Sequence, residues 1–207
     1  MDIKLTKAEK IKILNAFDIY GIMQRILLRE DKIDQDREHF WVIGLANNNR
    51  ILFIELISLG TVNRALAEPM EVFSLALQKR AVKIVLCHNH PSGELVPTEV
   101  DKDITDRLIQ VGIIVNTEVL DHLIITTESY VSFKNMGLME ELAESTQYVP
   151  NYVLKERYKK EAAALAQRKE KLEIARQLKA NGVDVETIAN STGLTVEEVK
   201  KLRGKRK

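Results

Sequence analysis

The chain has a single cysteine, Cys87, among 207 residues. It can form no intrachain disulfide, which suits a reducing compartment. No apolar run approaches the ~20 residues of a membrane-spanning helix, so no membrane association is expected. The opening "MDIKLTKAEKIKILNAF" alternates charged with apolar side chains. It lacks the uninterrupted hydrophobic core of a signal peptide, and a cytoplasmic location is the expectation. Internal repeats and low-complexity tracts are absent. What is there, 45% hydrophobic and 29% charged, is the composition of a soluble globular protein. The length fits one ordinary domain plus an appendage.

The net charge of +1 hides an asymmetry. From Asn151 onward, 15 Lys/Arg against 8 Asp/Glu give +7, while the rest, with 16 against 22, carries −6. Two units with different partners are expected.

Thr6 and Glu9 have capping-box spacing, predicting a short helix from about Lys7. "DIYGIMQRILLRED" places Ile19, Ile22, Met23, Ile26 and Leu27 on one helical stripe. "EHFWVIGLA" and "ILFIELISLGT" read as strands separated by the turn "NNNR". Pro69 opens a helix, "PMEVFSLALQKR", and "AVKIVLCH" suits a buried strand. A helix over 98–111, strands in "VLDHLIIT" and "SYVSF", and a helix starting in "MGLMEEL" complete the order α-β-β-α-β-α-β-β-α. That order predicts one α/β domain with a mixed sheet over 1–146. A linker is expected over 147–154. Residues 155–207 then read as a long helix ending at Gly182 and a helix-turn-helix-like tail. In that tail Asp184 and Thr195 are N-cap candidates and Gly193 is the break.

The chemistry concentrates in "VLCHNHPSGELVPTEVDKD". Side chains at i and i+2 of a strand project to one side, so His88 and His90 point together at a strand's carboxyl end. Sites in α/β folds gather there. Imidazole pairs favour zinc, and catalytic zinc keeps three protein ligands plus an open position. Asp101, in the first turn of the next helix, is the nearest third ligand. A loop containing Pro91, Gly93 and Pro97 can fold back to bring it in.

His88-x-His90, seven residues, Thr98, two residues, Asp101 resembles the JAMM (MPN+) metallopeptidase motif. With "HNHPSG", the downstream "VLDHLII" and the upstream "REHFWVIGLANNNRILFIELISLGT", the stretch from Ile19 to Leu142 is similar to the RadC-like branch of that family. The resemblance implies a JAB/MPN-like (cytidine-deaminase-like) mixed β-sheet flanked by helices, here followed by a small all-helical tail. It implies one Zn2+ per chain, held by His88, His90 and Asp101. It gives Glu38 the role of general base, taking a proton from the attacking water and passing it to the leaving amine. Thr98 stands where the family has serine, whose hydroxyl positions the water and stabilises the oxyanion. Threonine keeps the hydroxyl but adds a methyl group and a stiffer χ1. "ELVPT" also departs from the branch's usual "DPTPS".

Several residues carry two readings. Thr98 and Asp101 form good helix-start chemistry as well as family positions. Glu55, in "FIELIS", rivals Glu38 as base. Cys87 faces away from His88 and reads as a buried strand residue. Asp121 could orient a metal-bound imidazole or be structural, and His122 is a ligand candidate the family pattern does not require. His39 reads as surface or core. The tail fits DNA binding, with "RGKRK" holding phosphates, or a helical protein-interaction element. Glu197 and Glu198 at the start of its last helix disfavour entry into a groove.

The functional expectation is a zinc-dependent JAMM-type metallopeptidase acting on a peptide or isopeptide bond of a protein or peptide, in a bacterial cytoplasm. The alternative is a RadC-like DNA-repair or DNA-associated protein whose zinc site is structural or incidental. A nuclease fits less well, because no second-metal carboxylate cluster accompanies the His–His–Asp set.

Overall fold

The structure, a computed structural model, describes residues 12–60 and 67–202. The helix expected near Lys7, residues 61–66 and the basic end "RGKRK" lie outside the described residues. Contacts divide the chain into two compact units, 1–148 and 149–207.

In the first unit, α1 (Ala16–Leu27) opens on a reciprocal capping box between Asn15 and Asp18. Its stripe of Ile19, Ile22, Met23, Ile26 and Leu27 is buried. The helix stops at Leu27, four residues short of the end expected from the sequence, because the apolar stripe ends there. A single turn not foreseen in the sequence, α2 (Lys32–Gln35), follows and buries nothing. Then come β1 (His39–Leu45), β2 (Ile51–Leu59), α3 (Pro69–Gln78), β3 (Lys83–Asn89), α4 (Glu99–Ile114), β4 (Glu118–Ile125), β5 (Tyr130–Ser132) and α5 (Leu138–Ala143).

The strands form one mixed sheet in the order β2-β1-β3-β4-β5. β3 and β4 are parallel, joined through α4, and the other neighbouring pairs are antiparallel. Each face has its own core. Trp41, Ile43, Val85, Cys87 and Leu123 cluster with α1 on one side. Phe40, Val42, Leu86 and Ile124 cluster with Val72 and Phe73 of α3, Leu108 of α4 and Met139 of α5 on the other. Strand alternation puts His88 and His122 on this second face, alongside Leu86 and Ile124. Cys87 is fully buried on the opposite side, and burial pushes its thiol pKa up, with the charge of Asp121 adding to the shift.

In the second unit, α6 (Asn151–Ala180) begins directly after Pro150. Residues 151–154, expected as linker, therefore belong to its first turn. α7 (Val185–Thr192) is capped by Asp184, whose side chain accepts from the Thr187 amide. Gly193 ends it with φ near +70°, a conformation that favours glycine. α8 (Val196–Lys201) opens on a capping box between Thr195 and Glu198. Ala175, Ile188, Ala189, Leu194 and Val199 form the small core that holds these helices together.

Candidate metal centre

β3 ends at Asn89, and its antiparallel pairing with β1 reaches Phe40 and His88, two residues after Glu38 on one strand and two before His90 on the other. After His90 the chain turns through Pro91 and Ser92 to Gly93, whose φ of +83° lies in the left-handed region. The Gly93 amide donates to the His90 carbonyl at 3.0 Å, closing the turn. The chain then runs to Thr98, the N-cap of α4. The Thr98 hydroxyl accepts from the Asp101 amide at 3.2 Å and donates to Asp101 Oδ2 at 2.7 Å, while the Thr98 amide also donates to Oδ2 at 2.7 Å. The capping box thus fixes the carboxylate that the helix presents to the strand.

Three potential ligands meet there. His88 Nε2 and His90 Nε2 are 3.0 Å apart. Asp101 Oδ1 lies 3.2 Å from His88 Nε2, and Oδ2 lies 3.6 Å from His90 Nε2. A tetrahedral ion with bonds of ~2.0–2.1 Å separates its ligand atoms by about 3.3 Å. Among the described residues this is the one group of three or more His, Cys, Asp or Glu close enough to share an ion.

The hydrogen bonds around the rings decide their tautomers. His90 Nδ1 lies 2.7 Å from the Glu94 carbonyl, which can only accept. Nδ1 therefore carries the proton and Nε2 a lone pair. The Thr105 hydroxyl donates to the Asp101 carbonyl at 2.5 Å, so it accepts from His122 Nδ1 at 2.6 Å. His122 Nε2 is then a lone pair, which accepts from His88 Nδ1 at 2.8 Å. His88 Nε2 is left as a lone pair in turn. Two imidazole lone pairs and a carboxylate face one another, and a cation is what such a set of Lewis bases holds.

The electrostatics of His122 agree with this wiring. Burial, reinforced by His88, pushes the pKa of His122 well below its ordinary value, so the ring is neutral near pH 7. Burial also acts to lower His90, but the hydrogen bond that a proton on Nε2 would donate to Asp101, the bond to the Glu94 carbonyl and the charges of Asp101 and Glu38 raise it overall, so without a metal a proton competes for that lone pair. Asp101 is pushed up by burial, yet His88, His90 and Thr98 hold it far below the usual carboxylate range.

Glu38 immediately precedes β1, and its backbone is pinned on both sides. Its carbonyl accepts from the Gly60 amide at 2.8 Å. The buried Asn89 side chain accepts from the His39 amide at 2.7 Å and donates to the Arg37 carbonyl at 3.0 Å. The middle residue of "HNH" therefore clamps the segment carrying Glu38. Glu55 pairs with Val42, level with Leu86 and short of His88. His39 is buried, stacks on Trp41 and bonds through Nδ1 to the Arg37 carbonyl.

Asp121 does not orient a ring. It lies on the α1 face of the sheet, where it accepts from Ser132 Oγ at 2.6 Å, the His122 amide at 2.8 Å and the Lys134 amide at 2.9 Å. Burial raises its pKa despite those bonds. The orienting role belongs to His122 and Thr105. Thr105 was within reach of sequence reasoning, because it lies one helical turn after Asp101 on the same face. His122 was not, because its position against His88 depends on β3 pairing with β4.

Comparison with known proteins matches residues 16–138 to the family described as RadC-like JAB domain. Residues 168–204 match the C-terminal HTH domain of the Rpn/YhgA-like nuclease family. The chain is similar to a UPF0758 protein of Desulforamulus reducens, 42% identical over 113 residues, 55% of this chain and 50% of that protein. A UPF0758 protein of Chlorobium chlorochromatii is 38% identical over 128 residues, 62% of this chain and 55% of that one. One from Clostridium novyi is 37% identical over 137 residues, 64% of this chain and 60% of that one. The chain spans about half the length of the curated relatives it matches.

Proposed function

Because the chain belongs to the RadC-like JAB domain family, we propose that it is a zinc-dependent hydrolase that cleaves a peptide or isopeptide bond. The observation that carries this reading is the convergence of two imidazole lone pairs and the Asp101 carboxylate at the spacing of a tetrahedral ion. The choice of zinc rests on the ligand chemistry, two nitrogens and one carboxylate. When bound, zinc acts as a Lewis acid that makes hydroxide available near pH 7 and polarises a carbonyl.

The chain's own groups do the rest. His88 and His90 would hold the ion through Nε2, with Nδ1 of His88 held by His122 and Nδ1 of His90 by the Glu94 carbonyl. Asp101 supplies a carboxylate oxygen and is held by the Thr98 cap. Glu38, near enough to His90 for its charge to add to the raised pKa of that ring, takes the proton of the attacking water and returns it to the leaving amine. The Thr98 proton is committed to Asp101 Oδ2, so Thr98 acts first as a positioning residue.

The test is zinc content by elemental analysis of wild type, His88→Ala and Glu38→Gln. One zinc per chain, lost in His88→Ala and retained in Glu38→Gln, is the expected outcome. Peptide and isopeptide substrates are then screened with Glu38→Gln as the inactive control. A wild-type protein that takes up no zinc after reconstitution would overturn the reading.

A second reading rests on the match of residues 168–204 to an HTH domain and on the net +7 of the chain from Asn151 onward. In it the protein is DNA-associated and the second unit makes the phosphate contacts. Its test is DNA affinity against salt concentration for the full chain and a variant lacking 151–207. Salt-dependent affinity that vanishes with the deletion supports it, and unchanged affinity overturns it.

A further inference from the structure

α1 has a second face that its own fold leaves unused. The helix buries Ile19, Ile22, Met23, Ile26 and Leu27. The opposite side of a surface helix is ordinarily charged or polar. Here it holds Phe17, 65% exposed, then Gly21 and Arg25, with Leu14 just before the cap at 76% and Leu28 just after the helix at 52%. Spacings of three, four, four and three residues put all five on one stripe. Phe17 is exposed yet held, its ring centroid 6.4 Å from that of Tyr20 and 6.5 Å from that of Tyr130.

Gly21 sits at the middle of this stripe without an internal reason. Glycine inside a helix costs stability relative to alanine. The chain's own packing does not call for it, since a Cβ at Gly21 would meet no atom within 4 Å and its φ is not positive. A shallow recess of about 220 Å3 lies there, edged by Phe17, Asp18 and Arg25. A missing side chain at such a position lets another backbone come close.

The stripe is self-complementary, because its spacing reads the same in both directions from Gly21. Two copies of α1 crossing antiparallel at that residue bring glycine against glycine and each Leu14 against Leu28 of the other copy. Each Phe17 ring then lies beside Arg25 of the other copy, and a guanidinium over an aromatic face is favourable. Charge fixes the direction. Antiparallel pairing sets each Arg25 near Asp18 of the other copy, whereas parallel pairing sets Arg25 against Arg25. We infer that α1 is a self-association surface through which two copies of this chain pair antiparallel about Gly21. The contact is isologous, as a two-fold axis requires. It is one helix wide, narrow beside the ~800 Å2 per partner of a standard interface, so a weak, concentration-dependent dimer is expected. α1 packs on the sheet face of Cys87, opposite that of His88, so both candidate metal centres stay open.

Sedimentation velocity of the full chain over a concentration series reads the association, and disulfide trapping reads its direction. Cys87 is fully buried and does not compete in the trapping. A mixture of Leu14→Cys and Leu28→Cys chains should cross-link with each other, while neither variant cross-links with itself, because the two positions lie about 21 Å apart along the helix. Arg25→Glu meets Asp18 of the other copy and should weaken association about tenfold or more. Gly21→Ala should weaken it similarly while raising the melting temperature of the dilute monomer, two opposite signs that misfolding does not produce. Ile113→Gln removes an apolar side chain of α4 that is 62% exposed and should leave association within twofold. A monomer at every concentration would overturn the proposal. So would a dimer that the α1 variants leave intact, an equal loss in Ile113→Gln, or cross-linking of either cysteine variant with itself.

Discussion

His88 Nδ1 lies 2.8 Å from His122 Nε2, and that one hydrogen bond selects the nitrogen of His88 that faces Asp101. His122 is fully buried and itself held by Thr105. A ring with the other tautomer at His88 would present a proton toward Asp101, where the proposed zinc needs a lone pair. His122→Phe removes the acceptor while filling the space. Zinc affinity should fall by about 10–100-fold, the usual effect of losing a partner that orients a metal ligand. His122→Gln, which retains an acceptor, should recover most of it. Competition titration against a chromophoric chelator measures both, and wild-type affinity in the Phe variant would exclude this role.

Protons compete with the metal at His90. Its pKa lies above the ordinary 6.5, so in the metal-free protein the competing proton binds already above that pH. Asp101 is shifted down and adds no competing proton in this range. Zinc affinity should therefore decline about tenfold per pH unit once the pH drops below the His90 value. For metal-free stability the two shifted histidines oppose each other. The raised His90 stabilises below pH 6.5 and loses that contribution as pH rises through its folded value. The lowered His122 contributes above pH 6.5 and loses it as pH falls. The difference in Tm between zinc-loaded and chelator-treated protein should widen from pH 6 to pH 8. A difference independent of pH would remove His90 from the ligand set.

Asn89 joins two parts of the site that are far apart in sequence. Its amide side chain bonds the backbone of both Arg37 and His39, flanking Glu38. Asn89→Ala leaves the buried His39 N–H without its acceptor, at a cost of about 1–3 kcal/mol before water enters, while the Arg37 carbonyl keeps its bond to His39 Nδ1. The variant should melt lower, exchange the His39 amide faster and still bind one zinc. Loss of zinc instead would tie Asn89 to the candidate metal centre and not to the segment carrying Glu38.

These residues show which parts of the site were legible in the sequence. The meeting of His88, His90 and Asp101 was legible because each part obeys a local rule. His88 and His90 follow strand alternation, and Thr98 and Asp101 follow helix capping. The strands and most of the helices were equally local, set by apolar periodicity and by caps at Asp184 and Thr195. What escaped depends on pairing between distant segments. Asn89 reaches Arg37 because β1 runs antiparallel beside β3, and His122 reaches His88 because β4 runs parallel on the other side. Asp121 was given two open roles for the same reason. One residue of alternation separates it from His122 and puts it on the other face, where Ser132 and Lys134 take its oxygens. The end of α1 was misplaced because charged residues continue a helical pattern on paper after the buried stripe has stopped at Leu27.

Thr98 separates a positioning role from direct participation in the reaction. Its hydroxyl accepts from the Asp101 amide and donates to Asp101 Oδ2, so the proton an oxyanion would need is already in use. Thr98→Val keeps the β-branch and removes both bonds. It should cost about 1 kcal/mol as a lost N-cap and weaken zinc binding severalfold, because Asp101 Oδ2 keeps only the Thr98 amide of its two donors. Thr98→Ser restores both bonds and should restore zinc affinity fully, with the same melting temperature to within a degree or two. If the hydroxyl acts on the reacting carbonyl instead, Thr98→Val should bind zinc as wild type does and lose only turnover on whichever substrate the screen identifies. Zinc titrations of the two variants decide between these outcomes before any substrate is known, since only a positioning role moves the metal affinity.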